Sequence, residues 1–159
     1  MTLYYTKNEI SLMPASRLHL RQTAQRLRAA DRAELAASHP GEPEQRLREF
    51  AARSLECRAL VYKGRAVAIF GLVPDGLLGP RACAWLLTAE GVEQIPKTFF
   101  KLSRLVLDEW LARYPQLYNW VDARYAAALA YVRRLGGAFD GTARILNGRK
   151  FLLFYIRRK

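Results

Sequence analysis

The stretch TAEGVEQIPKT, residues 88–98, holds the densest set of groups in this chain with types and spacing suited to chemistry. Pro96 suits the first position of a helix, because its ring pre-sets φ and its missing N–H would have no intrahelical partner there. Glu90 and Glu93 stand just ahead of that helix, where negative charge favours the positive end of its dipole. Lys97 in the first turn opposes the same dipole, and together with Thr98 it reads as a phosphate contact. Tyr125 and Tyr131 fall on a later alanine-rich helix, where aromatics commonly pack. His19 and His39 have no catalytic partner nearby in the sequence. Cys57 and Cys83 have neither CxxC spacing nor a neighbouring histidine pair, which points to two buried, reduced thiols and to no metal site or disulfide framework.

Positioning such groups takes a core, and 159 residues suffice for one domain over residues 1–159, not for two. The composition, 51% hydrophobic with 25% charged residues, is that of a globular chain. No apolar run reaches the roughly 18 residues needed to cross a bilayer, and the N-terminus lacks a signal-peptide pattern, so the expected location is the cytoplasm where the chain is made. The net charge of +12 is uneven: residues 133–159 hold 8 basic side chains and 1 acidic one. That patch suits an acidic protein partner or the phosphates of a ligand, and it is equally what a solvated face looks like. With no base-reading motif beside it, nucleic acid binding is expected to be weak and sequence-independent.

The periodicity gives an element order. Residues 2–6 read as a strand. A long helix opened by Ser11 or Pro14 follows, and after the turn at residues 38–43 a second helix covers residues 44–55. Residues 59–63 and 66–73 form a hairpin about Lys63-Gly64-Arg65, and the bulky run ACAWLLT, residues 82–88, is a buried central strand beside it. The helix from Pro96 carries Phe99, Leu102, Val106 and Trp110 on one face. LYNWV, residues 117–121, is a strand, and residues 126–135 are a short helix closed by Gly136-Gly137. A strand near Ala138-Phe139, a turn at residues 146–149 and the strand FLLFYI, residues 151–156, end the chain. Trp85, Trp110 and Trp120, with Phe99 and Phe100, are core by spacing; a platform for stacking bases is the alternative. The fold class is α/β (α+β), a mixed, mainly antiparallel sheet flanked by helices.

The order β-α-α-β-β-β-α-β-α-β-β, ending in YVRRLGGAF, resembles the GNAT superfamily of acyl-CoA-dependent N-acetyltransferases from about Val61 onward. Within that fold, the texture CAWLLT, KLSRLVLDEWLARYPQLYNWV and YVRRLGGAF is similar to the internal virion protein A family of short-tailed bacteriophages. The resemblance implies a central strand splayed from residues 117–121, with acetyl-CoA held by the backbone of Leu86, Leu87 and Thr88 and its pyrophosphate at Lys97 and Thr98 on the helix from Pro96. It also implies Glu90 as the base and Tyr131 as the second catalytic residue, with Tyr125 among the cofactor contacts. Tyr131 lies one residue from the usual tyrosine acid position, which Val132 fills, and Tyr125 replaces the usual asparagine. The glycine-rich Q/R-x-x-G-x-G/A pattern is reduced to a single glycine with two carboxylates and a proline. Two functions follow: acetyl-CoA-dependent transfer to an amine, or a non-catalytic phage protein of the virion interior or of particle assembly, with phage structural proteins as partners.

Overall fold

The computed structural model describes residues 3–159. Its strands are β1 (Tyr5–Lys7), β2 (Ile10–Pro14), β3 (Glu56–Tyr62), β4 (Arg65–Pro74), β5 (Arg81–Thr88), β6 (Gln116–Asp122), β7 (Ala138–Leu146) and β8 (Arg149–Arg157). The helices are α1 (Arg17–Gln25), α2 (Ala29–Ser38), α3 (Pro43–Arg53), α4 (Pro96–Arg113) and α5 (Ala126–Arg134). The strands make one sheet in the order β1-β2-β3-β4-β5-β6-β8-β7, antiparallel at every pair except β5 with β6. This is the mixed, mainly antiparallel sheet expected, with α4 as the crossover between its one parallel pair.

Residues of α1, α2 and α3 pack on one face of the sheet in a cluster that includes Leu20, Leu35, Leu47 and Ile69. The other face carries α4 and α5, with Leu102, Val106 and Trp110 of α4 almost wholly buried against Leu60, Leu72 and Leu117. Each such side chain contributes about 1.5–3 kcal/mol through the area it removes from water. At the end of α5 the Gly137 amide donates to Val132 and the Gly136 amide to Arg133, with Gly136 at φ 95°. That double bond pattern satisfies two orphan carbonyls, and the left-handed residue it requires is the glycine expected there.

The N-terminal third differs from its expected layout. The strand expected over residues 2–6 is β1, shifted to Tyr5–Lys7, and Thr2 lies outside the described residues. Ser11 and Pro14 do not open a helix but belong to β2, where Ser11 pairs with Val61 and Pro14 with Arg58. The hairpin between β1 and β2 turns on Asn8 and Glu9, at φ 51° and 62°, without the glycine that usually marks such a turn. Ser16 then caps α1: its hydroxyl accepts from the His19 amide at 3.3 Å, and His19 Nδ1 accepts from the Ser16 amide at 3.1 Å. The long helix is two, because Leu27 leaves it to bridge Ala89. The observed order is β-β-α-α-α-β-β-β-α-β-α-β-β, and the strand expected near Ala138-Phe139 runs on to Leu146.

Candidate functional site

β5 and β6 begin as a pair and end apart. Only Arg81, Ala82 and Cys83 pair with Gln116, Leu117 and Tyr118. Beyond them the β6-facing backbone of residues 84–88 has no strand partner, and the Asn119 side chain spans the start of the gap, donating to the Ala84 carbonyl at 2.9 Å. The opposite edge of β5 stays paired with β4 through Thr88, so the opening is one-sided and rigidly held. Trp85 is fixed beside it: its Nε1 donates to Ser54 at 3.0 Å, and its ring lies over Gly71, where an added Cβ would come within 2.0 Å of ring carbon.

On the α2–α3 side, the gap opens into a cavity of about 340 Å³ whose lining includes Glu34, Phe50, Arg53, Trp85, Trp120 and Arg144. Burial pushes the Glu34 carboxyl up to about 7, and the nearby Asp31 and Asp122 add to the rise, while hydrogen bonding to the Asp122 backbone works against it. Such a group changes protonation at neutral pH, as a general base must. Thr88 donates its hydroxyl to Asp31, tying the end of β5 to α2; burial raises the Asp31 carboxyl and that bond opposes the rise. Asp122 is fully buried and faces Arg124 at 3.2 Å and Arg149 at 3.9 Å. Burial also lowers the His39 ring, with Arg53 and Arg144 acting in the same direction.

On the α4 side lies the loop of residues 89–95. A 3-10 turn, Val92–Gln94, folds it over itself. Its amides are largely committed: Glu90 to the Arg26 carbonyl, Val92 to Ala89, Gln94 to Gly91 and Ile95 to Val92. The Gly91 amide donates to both carboxylate oxygens of Glu93 at 3.0 Å. Glu93 thus sits where an anionic ligand of this loop would bind. Past the loop, α4 begins at Pro96 with no side-chain cap and no acid in its first turn, so the Lys97 and Thr98 amides have no intrahelical acceptor.

The residues singled out in the sequence are not all brought together. Leu86 and Leu87 line the cleft and Thr88 closes it. Lys97 and Thr98 stand together at the start of α4. Glu90 is exposed and ion-paired with Arg26 at 3.6 Å, away from the cavity. Tyr125 is the N-terminal flanking residue of α5, its hydroxyl receiving a bond from Arg124 at 3.0 Å. Tyr131 faces α4: it stacks on Phe99 at 5.2 Å between ring centres, and its hydroxyl bonds Ser103 at 2.7 Å. Burial pushes its phenol up to about 12, so it stays protonated.

Neither a family model nor a curated protein matches the sequence. Solved structures do match. The ribosomal-protein-S18-alanine N-acetyltransferase of Escherichia coli superposes with TM-score 0.67 at 17% identity, over 93% of this chain and 93% of that one. The ribosomal L7/L12 alpha-N-protein acetyltransferase RimL, in complex with coenzyme A, gives 0.71 at 12% identity over 98% of each chain. The ribosomal-protein-S5-alanine acetyltransferase of Vibrio fischeri gives 0.70 at 11%, over 99% of this chain and 97% of that one. The fold is that of the GNAT acetyltransferases.

Coenzyme A fits this GNAT fold in part. The open backbone of β5 and the uncapped start of α4, with Lys97, offer amides and a positive charge to a pantetheine arm and a phosphate. The Gly91 amide is closed to a phosphate while Glu93 holds it. Glu34 is the residue that sequence reasoning missed. It lies on a helix of ordinary polarity, and its neighbour Asp122 follows 88 positions later, so only the tertiary contact marks it out.

Proposed function

We propose that the protein is an acetyl-CoA-dependent amine N-acetyltransferase, with the donor on the α4 side of the splayed strands and the acceptor on the α2–α3 side. The observation that carries this reading is the Glu34 carboxyl in the wall of the cavity onto which the gap between β5 and β6 opens, its burial raising it to titrate near neutrality. Bound acetyl-CoA would supply the acetyl group as a thioester, whose carbon–sulfur bond breaks as the amine nitrogen bonds to the carbonyl carbon. Glu34 takes the proton that the amine loses. The edge of β5 from Leu86 to Thr88, open toward β6 at Leu86 while Leu87 pairs with Ile69 and the Thr88 carbonyl accepts from the Arg28 amide, holds the pantetheine arm, and Lys97 with the Thr98 amide holds phosphate beside α4. Tyr125 flanks the cleft at the start of α5, and Tyr131 positions α5 against α4 through Phe99 and Ser103. Glu90 serves the loop through Arg26 and takes no part in proton transfer.

Acetyl-CoA at a hundredfold excess over its dissociation constant should raise the melting temperature by about 5–10 °C. A Lys97→Glu variant should need roughly ten to a hundred times more ligand for the same shift. A wild-type melting temperature unmoved at millimolar acetyl-CoA contradicts the reading.

One observation favours a second reading. The loop of residues 89–95 spends most of its amides on its own carbonyls, on Val67 and Arg26, and on Glu93. A chain that keeps the fold without using the cofactor needs nothing more, and that suits a non-catalytic internal virion or assembly protein of a bacteriophage. Its basic C-terminal strands would then meet an acidic structural protein, in the host cytoplasm or in the particle.

A further inference from the structure

The α2–α3 side of the cleft carries charge that its own structure does not neutralise. Arg53, at the end of α3, and Arg144, on β7, both line the cavity, and among the described residues neither is ion-paired. Three other acids nearby are taken. Asp75 pairs with Arg81 at 3.1 Å and accepts from the Tyr118 hydroxyl, Glu49 pairs with Arg46 at 3.1 Å, and Asp122 faces Arg124 and Arg149. Both arginines are held by aromatic rings that also line the cavity: the Arg144 guanidinium lies 4.3 Å from the Trp120 ring and that of Arg53 lies 5.5 Å from Phe50. Stacking of this kind leaves the guanidinium N–H fork free for a planar carboxylate.

We propose that this side of the cleft takes a small α-amino carboxylate, with its amine at Glu34 and its carboxylate on Arg53 and Arg144. The proposal rests on the acetyl-transfer reading of the same cleft and names its acceptor class. Three observations converge on it. The cavity, at about 340 Å³, lies at the small end of ligand sites, so the amine and the anion belong to one amino-acid-sized molecule. Its walls are aromatic, from Phe50, Trp85 and Trp120, and favour an apolar or aromatic side chain. Its two unpaired cations repel a polyamine, which would bring a second positive charge into a mouth already positive.

The test uses the full chain and four probes: phenylalanine, phenylalaninamide, phenethylamine and spermidine. Binding of each is followed through intrinsic tryptophan fluorescence, since Trp85 and Trp120 line the cavity, with coenzyme A absent and present. Acetyl transfer is followed separately as thiol release, and acetyl-CoA binding by calorimetry. Phenylalanine should bind at least about tenfold more tightly than its amide or phenethylamine, because both lack the carboxylate that two guanidinium groups receive. Spermidine should bind weakest. The double variant Arg53→Gln with Arg144→Gln should bring phenylalanine and its amide to within about twofold of each other, with acetyl-CoA affinity retained. Amine preference in the order spermidine over phenylalanine, no binding of any probe, or a carboxylate preference that survives the double variant would each overturn the proposal. Carboxylate-dependent binding without thiol release or acetyl-CoA binding would sustain the amino-carboxylate site and contradict the transfer reading alone.

Discussion

Removing the Glu93 carboxylate should tighten coenzyme A binding, the reverse of what loss of a side chain at a ligand site ordinarily does. Both carboxylate oxygens of Glu93 accept from the Gly91 amide at 3.0 Å, the amide that the loop would otherwise turn to a phosphate. A ligand phosphate must displace that bond and approach a like charge. A hydrogen bond to a charged group is worth about 1.5–3 kcal/mol, and since Glu93 is exposed the lower figure applies. Glu93→Ala should therefore lower the dissociation constant by roughly tenfold. Because the carboxylate also braces the turn of residues 92–94, the variant should lose about 0.5–1 kcal/mol of stability, a fall of about 1–4 °C in melting temperature. Calorimetric titration with coenzyme A, at low salt and at 0.5 M salt, reads both terms: the gain should shrink as salt screens the charge. An unchanged or weaker dissociation constant in Glu93→Ala would show that no phosphate meets this loop.

Three further variants test the same geometry. Wild-type activity should fall as pH drops through about 7, because a protonated Glu34 takes no proton, and Glu34→Gln should cut kcat by about 10²–10⁴ and abolish that acid limb; a retained acid limb assigns the base elsewhere. In stability the sign is opposite. The carboxyl is raised in the folded state, so its contribution is complete below pH 4.5 and is lost as pH rises to about 7, and Glu34→Gln should flatten that decline, by up to about 3 kcal/mol, in denaturant melts at pH 5 and pH 8. Gly71→Ala drives a methyl group into the Trp85 ring and should cost about 1–3 kcal/mol with a change in tryptophan emission; an unperturbed spectrum would mean that Trp85 is not pinned there. Tyr131→Phe removes the bond to Ser103, which keeps its bond to the Phe99 carbonyl, so stability should fall by about 0.5–1.5 kcal/mol while kcat stays within about threefold; a larger kcat loss makes the phenol a proton donor.

The β5-α4-β6 unit and the capped end of α5 were legible in the sequence because local chemistry decides them: a bulky apolar run, a proline at the first helical position, and a glycine pair after the last turn. The N-terminal hairpin was not, since Asn8 and Glu9 turn the chain without glycine and Pro14 ends a strand that pairs with β3 nearly fifty residues away. The split between α1 and α2 depends equally on a distant partner, the bridge from Leu27 to Ala89. In the proposed site, the placements that follow the chain were readable, Leu86 to Thr88 at the end of β5 and Lys97 with Thr98 at the start of α4. The residue with the strongest claim to proton transfer was not, because what distinguishes Glu34 from other helical glutamates is its burial beside Asp31 and Asp122. Glu90, two residues past β5, looked better placed along the sequence and instead points to Arg26.

Calorimetric titration of the full chain with acetyl-CoA bears most directly on the claim that the splayed β5–β6 cleft is an acyl-donor site. The geometry predicts one site per chain, a dissociation constant that weakens as salt rises, and about ten to a hundredfold loss of affinity in Lys97→Glu. Absence of heat at millimolar acetyl-CoA, or binding that Lys97→Glu leaves unchanged, would contradict it.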